Sequence, residues 1–337
     1  MMNLHGCLVA VVSFLSAITP LAFSQLKPVF PLFDPAFVSV KSSLPPIERD
    51  TALERKIAET HIKTISRWKW GYGLPDKGEM VDSTFYDIKG RIAWTIISFN
   101  PFTLDPAQTS RNLEVFTYDS VDNLVQIEVY ALPGQRIEQR GDLKQRITLT
   151  YNRYRQKLER ISEAEQGRTE YAYNTNGFLE EETAFDRDGI YTRTFYIYSG
   201  GKLDEIRCYG RGEMKETPDE QITYTNDGDR QTEDIFEAGD LVEHHVVKTD
   251  KKGRIVERRG YDSHMPPAPF LNQTFSYDGK GDLISEIIQC ESNPFAPDTR
   301  QVYSYNEKGF PVLRKRYSGK EVTDGTVYVY HYYMAGN

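Results

Sequence analysis

The heptapeptide Tyr86–Ile92, Tyr-Asp-Ile-Lys-Gly-Arg-Ile, recurs with variation through most of a 337-residue chain. Strict copies of its Tyr-[Asp/Asn]-x-x-Gly core begin at Tyr173, Tyr277 and Tyr305; looser copies begin at Tyr118, Tyr151, Tyr198, Tyr224 and Thr249. Successive anchors lie 32, 33, 22, 25, 26, 25, 28 and 28 residues apart. Self-similarity at this scale means that one small unit is stacked on itself, each copy covering the apolar side of its neighbours. A helical solenoid must hold its register turn by turn. The uneven interval suits β-hairpins instead, whose loops absorb insertions at small entropic cost.

The motif reads as a tight turn between strands. Asp or Asn after the Tyr (Asp87, Asp119, Asn174, Asp278, Asn306) bonds its own backbone, and Gly three residues on (Gly90, Gly177, Gly253, Gly281, Gly309; Gly228 in a looser copy) tolerates positive φ. Two residues before the anchors stand Phe116, Leu149, Tyr171, Tyr196, Ile222, Val247, Phe275 and Tyr303, separated from them mostly by small or polar residues, which is the period of a strand. After the turn Ile92, Leu124, Leu179, Leu203, Ile255 and Leu283 restart an apolar row across from the Tyr. Second turns such as Gln166–Gly167, Asp188–Gly189 and Ala238–Asp240 close each unit. Nine units predict an all-β fold: a long antiparallel meander of roughly eighteen to twenty strands, forming a curled sheet or β-spiral with an apolar, aromatic interior.

The series resembles the YD repeat of the Rhs and teneurin families over about Thr84–Ser318. That resemblance implies a β-sheet spiral, which in long members wraps into a hollow shell. This chain is far shorter than the toxin-delivery members, and its sequence shows neither an Asp-Pro-x-Gly-Leu-type core end nor a C-terminal toxin domain.

Four segments are expected: a signal peptide over residues 1–24, a Pro-rich leader over 25–49, a short helix and first strand over 50–80, and the repeat domain over 81–337. Met1–Ser24 carries no charged side chain, holds an apolar run from Leu8, and ends in Ala22-Phe23-Ser24, the small-residue pattern of a cleavage site. The mature chain is thus expected to be exported (periplasmic, at the cell surface or secreted) with no transmembrane segment. Asp50 is placed to cap a helix over Thr51–Glu59 that covers the open edge of the first strand, Ile62–Trp70, while Val327–Tyr333 reads as the closing strand. Cys208 and Cys290, the cysteines left after cleavage, are too few for a disulfide scaffold and read as separate thiols.

A formal charge of −8 argues against nucleic acid and anionic lipid as partners. No catalytic, cofactor or metal-binding constellation stands out. His244 and His245 are adjacent on a strand and point to opposite faces. The acidic turns at Asp186–Gly189, Asn226–Asp229 and Asp278–Asp282 lack a full calcium-loop pattern. Glu180–Glu182 and Glu163/Glu165 read as solvated strand faces rather than a glycosidase pair. Among the aromatic residues, Trp68, Trp70 and Trp94 are the candidates for an exposed platform. The expected function is a non-enzymatic exported repeat protein acting as a structural or binding surface toward a protein or glycan. The alternatives are an accessory or remnant of a Rhs-type toxin system that holds a polypeptide, and a carbohydrate-binding protein or glycan-active enzyme.

Overall fold

The computed structural model of the protein describes residues 50–71, 78–99, 110–133, 140–164, 166–211, 216–263, 269, 271–289 and 298–333. The expected signal peptide and leader, Cys290 and Glu165 lie outside them. Among these residues one helix, α1 (Thr51–Glu59), precedes twenty strands. The first ten are β1 (Ile62–Gly71), β2 (Glu79–Tyr86), β3 (Ile92–Phe99), β4 (Ser110–Tyr118), β5 (Leu124–Ala131), β6 (Leu143–Tyr151), β7 (Lys157–Ser162), β8 (Gly167–Tyr173), β9 (Leu179–Asp186) and β10 (Gly189–Ser199). The others are β11 (Lys202–Tyr209), β12 (Glu220–Asp227), β13 (Arg230–Glu237), β14 (Asp240–Thr249), β15 (Ile255–Asp262), β16 (Leu271–Tyr277), β17 (Leu283–Gln289), β18 (Thr299–Tyr305), β19 (Pro311–Ser318) and β20 (Glu321–Tyr332). All belong to one antiparallel sheet in which sequence neighbours pair.

The meander is not open. β20 pairs with β19 and also with β1, and Tyr333 extends the second pairing by donating its N–H to the His61 carbonyl at 2.8 Å. The expectation of an open curled sheet or β-spiral is therefore corrected: the hydrogen-bonding order returns to its start. The repeats specify each hairpin and say nothing about the two ends, whose unpaired N–H and C=O groups are satisfied most fully by pairing with each other. The first strand consequently has no open edge for α1 to cover. Asp50 does cap the helix, its Oδ1 accepting from Ala52 and Leu53 at 3.0 and 2.9 Å. The helix packs instead on the β2–β3 turn, so closely that a Cβ at Gly90 would lie 1.9 Å from the Glu54 carbonyl oxygen.

Seven turns share one geometry. The carboxylate or amide oxygen of Asp87, Asp119, Asn152, Asn174, Asp250, Asp278 or Asn306 accepts from backbone N–H groups two and four residues on. The residue three after it takes positive φ: Gly90, Gly177, Gly253, Gly281 and Gly309 in five copies, Asp122 and Arg155 in the two that lack glycine. The anchors Tyr86, Tyr118, Tyr151, Tyr173, Tyr277 and Tyr305 each precede such a turn, at a one-residue slip in register that sets them opposite Ile92, Leu124, Lys157, Leu179, Leu283 and Pro311. Two copies differ. Tyr198 is followed by a turn at Gly200–Gly201, both at positive φ as a two-residue hairpin loop requires. Tyr224 lies inside β12, whose hairpin turns at Gly228 and Asp229, so it does not flank its turn.

Packing divides the chain into two compact units. Of the described residues, the larger holds those of 50–226, 232–243 and 328–333; the smaller holds those of 227–231 and 244–327. In the larger unit, registered partners Leu149, Arg160, Thr169, Ala184 and Thr192 line up across five strands, all buried. The adjacent row, Thr150, Glu159, Glu170, Thr183 and Arg193, faces the other way and is largely charged. In the smaller unit the buried side includes a polar network in which Glu286 accepts from Gln273, Gln301 and Tyr303 at 3.1, 3.1 and 3.3 Å.

Candidate functional site

Between one repeat and the next, the ladder stops at a fixed place. The last pair joins the residue two beyond the start of one strand to the residue three before the next anchor: Trp94↔Val115, Glu257↔Thr274 and Ser285↔Val302. Past that point the strands part, and the carbonyl at the strand's first residue has no ladder partner. The next anchor supplies one. Tyr118 donates its hydroxyl to the Ile92 carbonyl at 3.0 Å, Tyr277 to Ile255 at 2.7 Å and Tyr305 to Leu283 at 2.7 Å. Tyr333 donates likewise to the Tyr86 carbonyl at 2.5 Å. Where the motif continues with Arg, that side chain completes the seal. Arg91 bonds Asp87 through Nε at 2.7 Å and lies over the Tyr118 ring at 4.5 Å. Arg254 does the same with Asp250 at 2.8 Å and Tyr277 at 4.4 Å, and its bond to Asp250 holds that carboxyl below its ordinary value. A guanidinium between a carboxylate and an aromatic face suits both partners.

The β9–β10 seam is different. Its ladder also ends on schedule, at Glu181↔Phe195. Here Phe178 stands where the sealing Arg would be and stacks on Tyr198 with ring centroids 4.9 Å apart. Among the described residues the Tyr198 hydroxyl makes no bond to the Leu179 carbonyl. A groove of about 450 Å³ opens at this place, bordered by Glu180, Phe195, Tyr196, Tyr198, Arg207 and Tyr209. Phe195 and Tyr209 meet edge to face at 5.9 Å. Arg207 is held by Glu205 through two bonds of 2.7 and 2.8 Å, whereas Glu180, exposed, has no ion-pair partner among the described residues. Burial, with the Glu182 charge beside it, pushes the Tyr196 phenol well above its ordinary value.

The tryptophans do not form one platform. Trp94 stacks on Phe85 at 3.3 Å and packs against the buried cluster of Ile96, Leu113 and Leu132. Trp70 is half-buried, and Trp68 is the exposed one. His245 is fully buried, while His244 lies against Tyr261. The acidic turn Asp186–Gly189 is neutralised by Arg211, which bridges Asp186 and Asp188. At Asp278 three backbone N–H groups, that of Asp282 foremost, hold the carboxyl below its ordinary value. Cys208 is an unpaired thiol. Among the described residues no group of three His, Cys, Asp or Glu side chains is placed to hold a metal ion.

No motif in the sequence marks the groove as a whole. Its one legible signal is the residue after the motif glycine, Phe178 where Arg91 and Arg254 stand in two of the sealed copies; the third has Asp282 there.

No protein-family model matches the chain, and no curated protein does. Among solved structures it is similar to the TcdB2-TccC3 toxin complex, at 14% identity and a TM-score of 0.39 over 74% of this chain and 16% of that one. A match to the Photorhabdus luminescens Tc holotoxin pore has 13% identity and a TM-score of 0.33, over 74% of this chain and 17% of that one. A porin-like protein from Bacteroides uniformis matches at 11% identity and a TM-score of 0.37, over 81% of this chain and 98% of that one. The chain thus spans less than a fifth of the toxin-complex chains it matches, and likenesses this weak assign it neither a family nor a function.

Proposed function

We propose that the chain is an exported, non-enzymatic repeat protein of the YD type, working in water as a structural or binding surface. The observation that carries this reading is where the charges lie. On the open side of the larger unit, Arg146 pairs with Glu128 and Glu163, Arg168 with Glu159 and Glu170, Arg193 with Glu181, and Arg207 with Glu205. A sheet that crosses a membrane needs an apolar band on its lipid side, where each Arg or Lys near mid-depth costs about 2–4 kcal/mol. The opposite side offers no such band either, since it carries Arg160, Glu114 and Glu182 among its packed residues. Ion pairs along and between strands suit a water-facing surface and discourage self-association. No described helix is long and apolar enough to cross a membrane.

Fractionation of cells expressing the full-length gene tests the reading. The mature protein is expected in the periplasmic or culture fraction, extractable by buffer alone. Recovery only with detergent, from membranes washed at high salt and high pH, would overturn it.

A further inference from the structure

We propose that the open β9–β10 seam is a binding site for an organic cation, specifically the guanidinium or ammonium of a basic side chain on a partner polypeptide. The inference rests on the reading of the chain as a binding surface and names the chemistry that one site on it would take.

Two observations converge. The groove, about 450 Å³, is bordered by Phe195, Tyr196, Tyr198 and Tyr209, a volume within the range that encloses a side chain or small ligand. Its charge is one-sided: Arg207 is neutralised by its two bonds to Glu205, leaving the Glu180 carboxylate uncompensated among the described residues. Aromatic faces with a carboxylate at the rim attract cations, and an alkyl guanidinium also buries its stem against the rings. The chain uses this chemistry on itself. Arg91 over Tyr118 with Asp87, and Arg254 over Tyr277 with Asp250, fill the corresponding seams with an internal guanidinium. At β9–β10 the internal Arg is replaced by Phe178, and Asn174 replaces the Asp. A neutral sugar would use the rings but has no need of the unpaired charge.

The test is calorimetric titration of the full mature chain with N-acetyl-arginine-N-methylamide, its uncharged citrulline counterpart and maltotriose. Saturable binding of the arginine probe is expected, at least about fivefold tighter than the citrulline probe, weakening with salt. Glu180→Gln should weaken the arginine probe by about fivefold or more, and Tyr198→Leu by a similar factor. Glu307→Gln, an exposed carboxylate in the smaller unit, should leave it unchanged. Far-UV circular dichroism and thermal midpoints of each variant separate lost binding from lost fold. Equal binding of the citrulline probe, preference for maltotriose, an unchanged affinity in a folded Glu180→Gln protein, or no saturable binding would each overturn the proposal. None of these outcomes would alter the protein's fractionation, so failure here is distinguishable from failure of the water-facing reading.

Discussion

The seam between β3 and β4 and the seam between β9 and β10 end their ladders at equivalent residues, yet one is shut and the other is open. In the first, Tyr118 closes an orphaned carbonyl and Arg91 lies across the ring; in the second, Tyr198 leaves the carbonyl alone and is covered by Phe178. The anchor tyrosine is therefore more than a packing residue. It terminates a hydrogen-bond ladder, and at the β3–β4 and β15–β16 seams the arginine after the glycine lies across its ring. A repeat protein can acquire a site in this way by losing one internal contact while the hairpin itself is kept.

The largest expected effect lies at the sealed end of that comparison. Gly90 and Gly253 hold the same place in the motif, with φ of 77° and 75°. Nothing stands within 4 Å of a Cβ at Gly253, whereas at Gly90 the new atom would meet the backbone of α1 at Glu54. Gly253→Ala should cost about 1 kcal/mol, the strain of the left-handed conformation alone. Gly90→Ala should cost about 3 kcal/mol or more, because the helix must lift and uncover Ile57. Urea denaturation of the two variants measures the gap, and equal costs would mean that α1 is not locked onto the turn.

Two buried carboxylates sharpen the contrast between satisfied and unsatisfied places. Glu286 has three donors, while Glu114 Oε2 is buried without a hydrogen-bond partner among the described residues. Burial pushes the Glu114 carboxyl from its ordinary 4.5 up to about 8. Its folded value being raised, its contribution is fully present below the unfolded value and is lost as pH climbs toward 8. Over that window the unfolded chain gives up the proton while the fold retains it. Glu114→Gln should thus be close to neutral at pH 4 and stabilise by about 2 kcal/mol at pH 9. At Glu286 the same substitution should destabilise at neutral pH, since it replaces a carboxylate oxygen facing three donors with an amide. Thermal melts across pH decide it; a Glu114→Gln benefit that shrank with rising pH would contradict the assignment.

Much of this was legible in the residues, for definable reasons. Asp50 and the run to Glu59 announce a capped helix, and the Asp/Asn-x-x-Gly cores announce their turns, because both are local hydrogen-bond problems with few solutions. The turns at Asp122 and Arg155 formed without glycine because the Asp119 and Asn152 side chains supply the same bonds. What stayed hidden was non-local. The pairing of β20 with β1 joins residues at opposite ends of the chain, and no repeat encodes it. Tyr224 has the spelling of an anchor, but register aligns Asn226, three beyond Thr223, with the other anchors. The groove depends on where the β9–β10 ladder stops, which appears only when two strands are paired.

At the turn itself, Asp87→Ala removes the acceptor of two backbone N–H groups and the anchor of Arg91. A loss of about 1–2 kcal/mol is expected. Asp87→Asn, which keeps the acceptor and loses only the ion pair, should recover most of it, as the natural Asn at 152, 174 and 306 suggests.

The smallest effect separates the two seams most directly. Tyr118→Phe deletes one oxygen and leaves the Ile92 carbonyl, past the end of its ladder, without its donor. The cost should be about 1 kcal/mol, the net worth of one hydrogen bond plus the exposure of its acceptor. Tyr198→Phe deletes the same atom from a hydroxyl that bonds no such carbonyl, and the stacking with Phe178 survives the change. It should cost close to nothing. Hydrogen exchange adds position to the energy: amides flanking Ile92 should open more readily in Tyr118→Phe, while those flanking Leu179 keep their rates in Tyr198→Phe. If both variants lost the same stability, the tyrosine would be acting through its ring alone. The open seam would then differ from the β3–β4 seam only in the absence of its arginine.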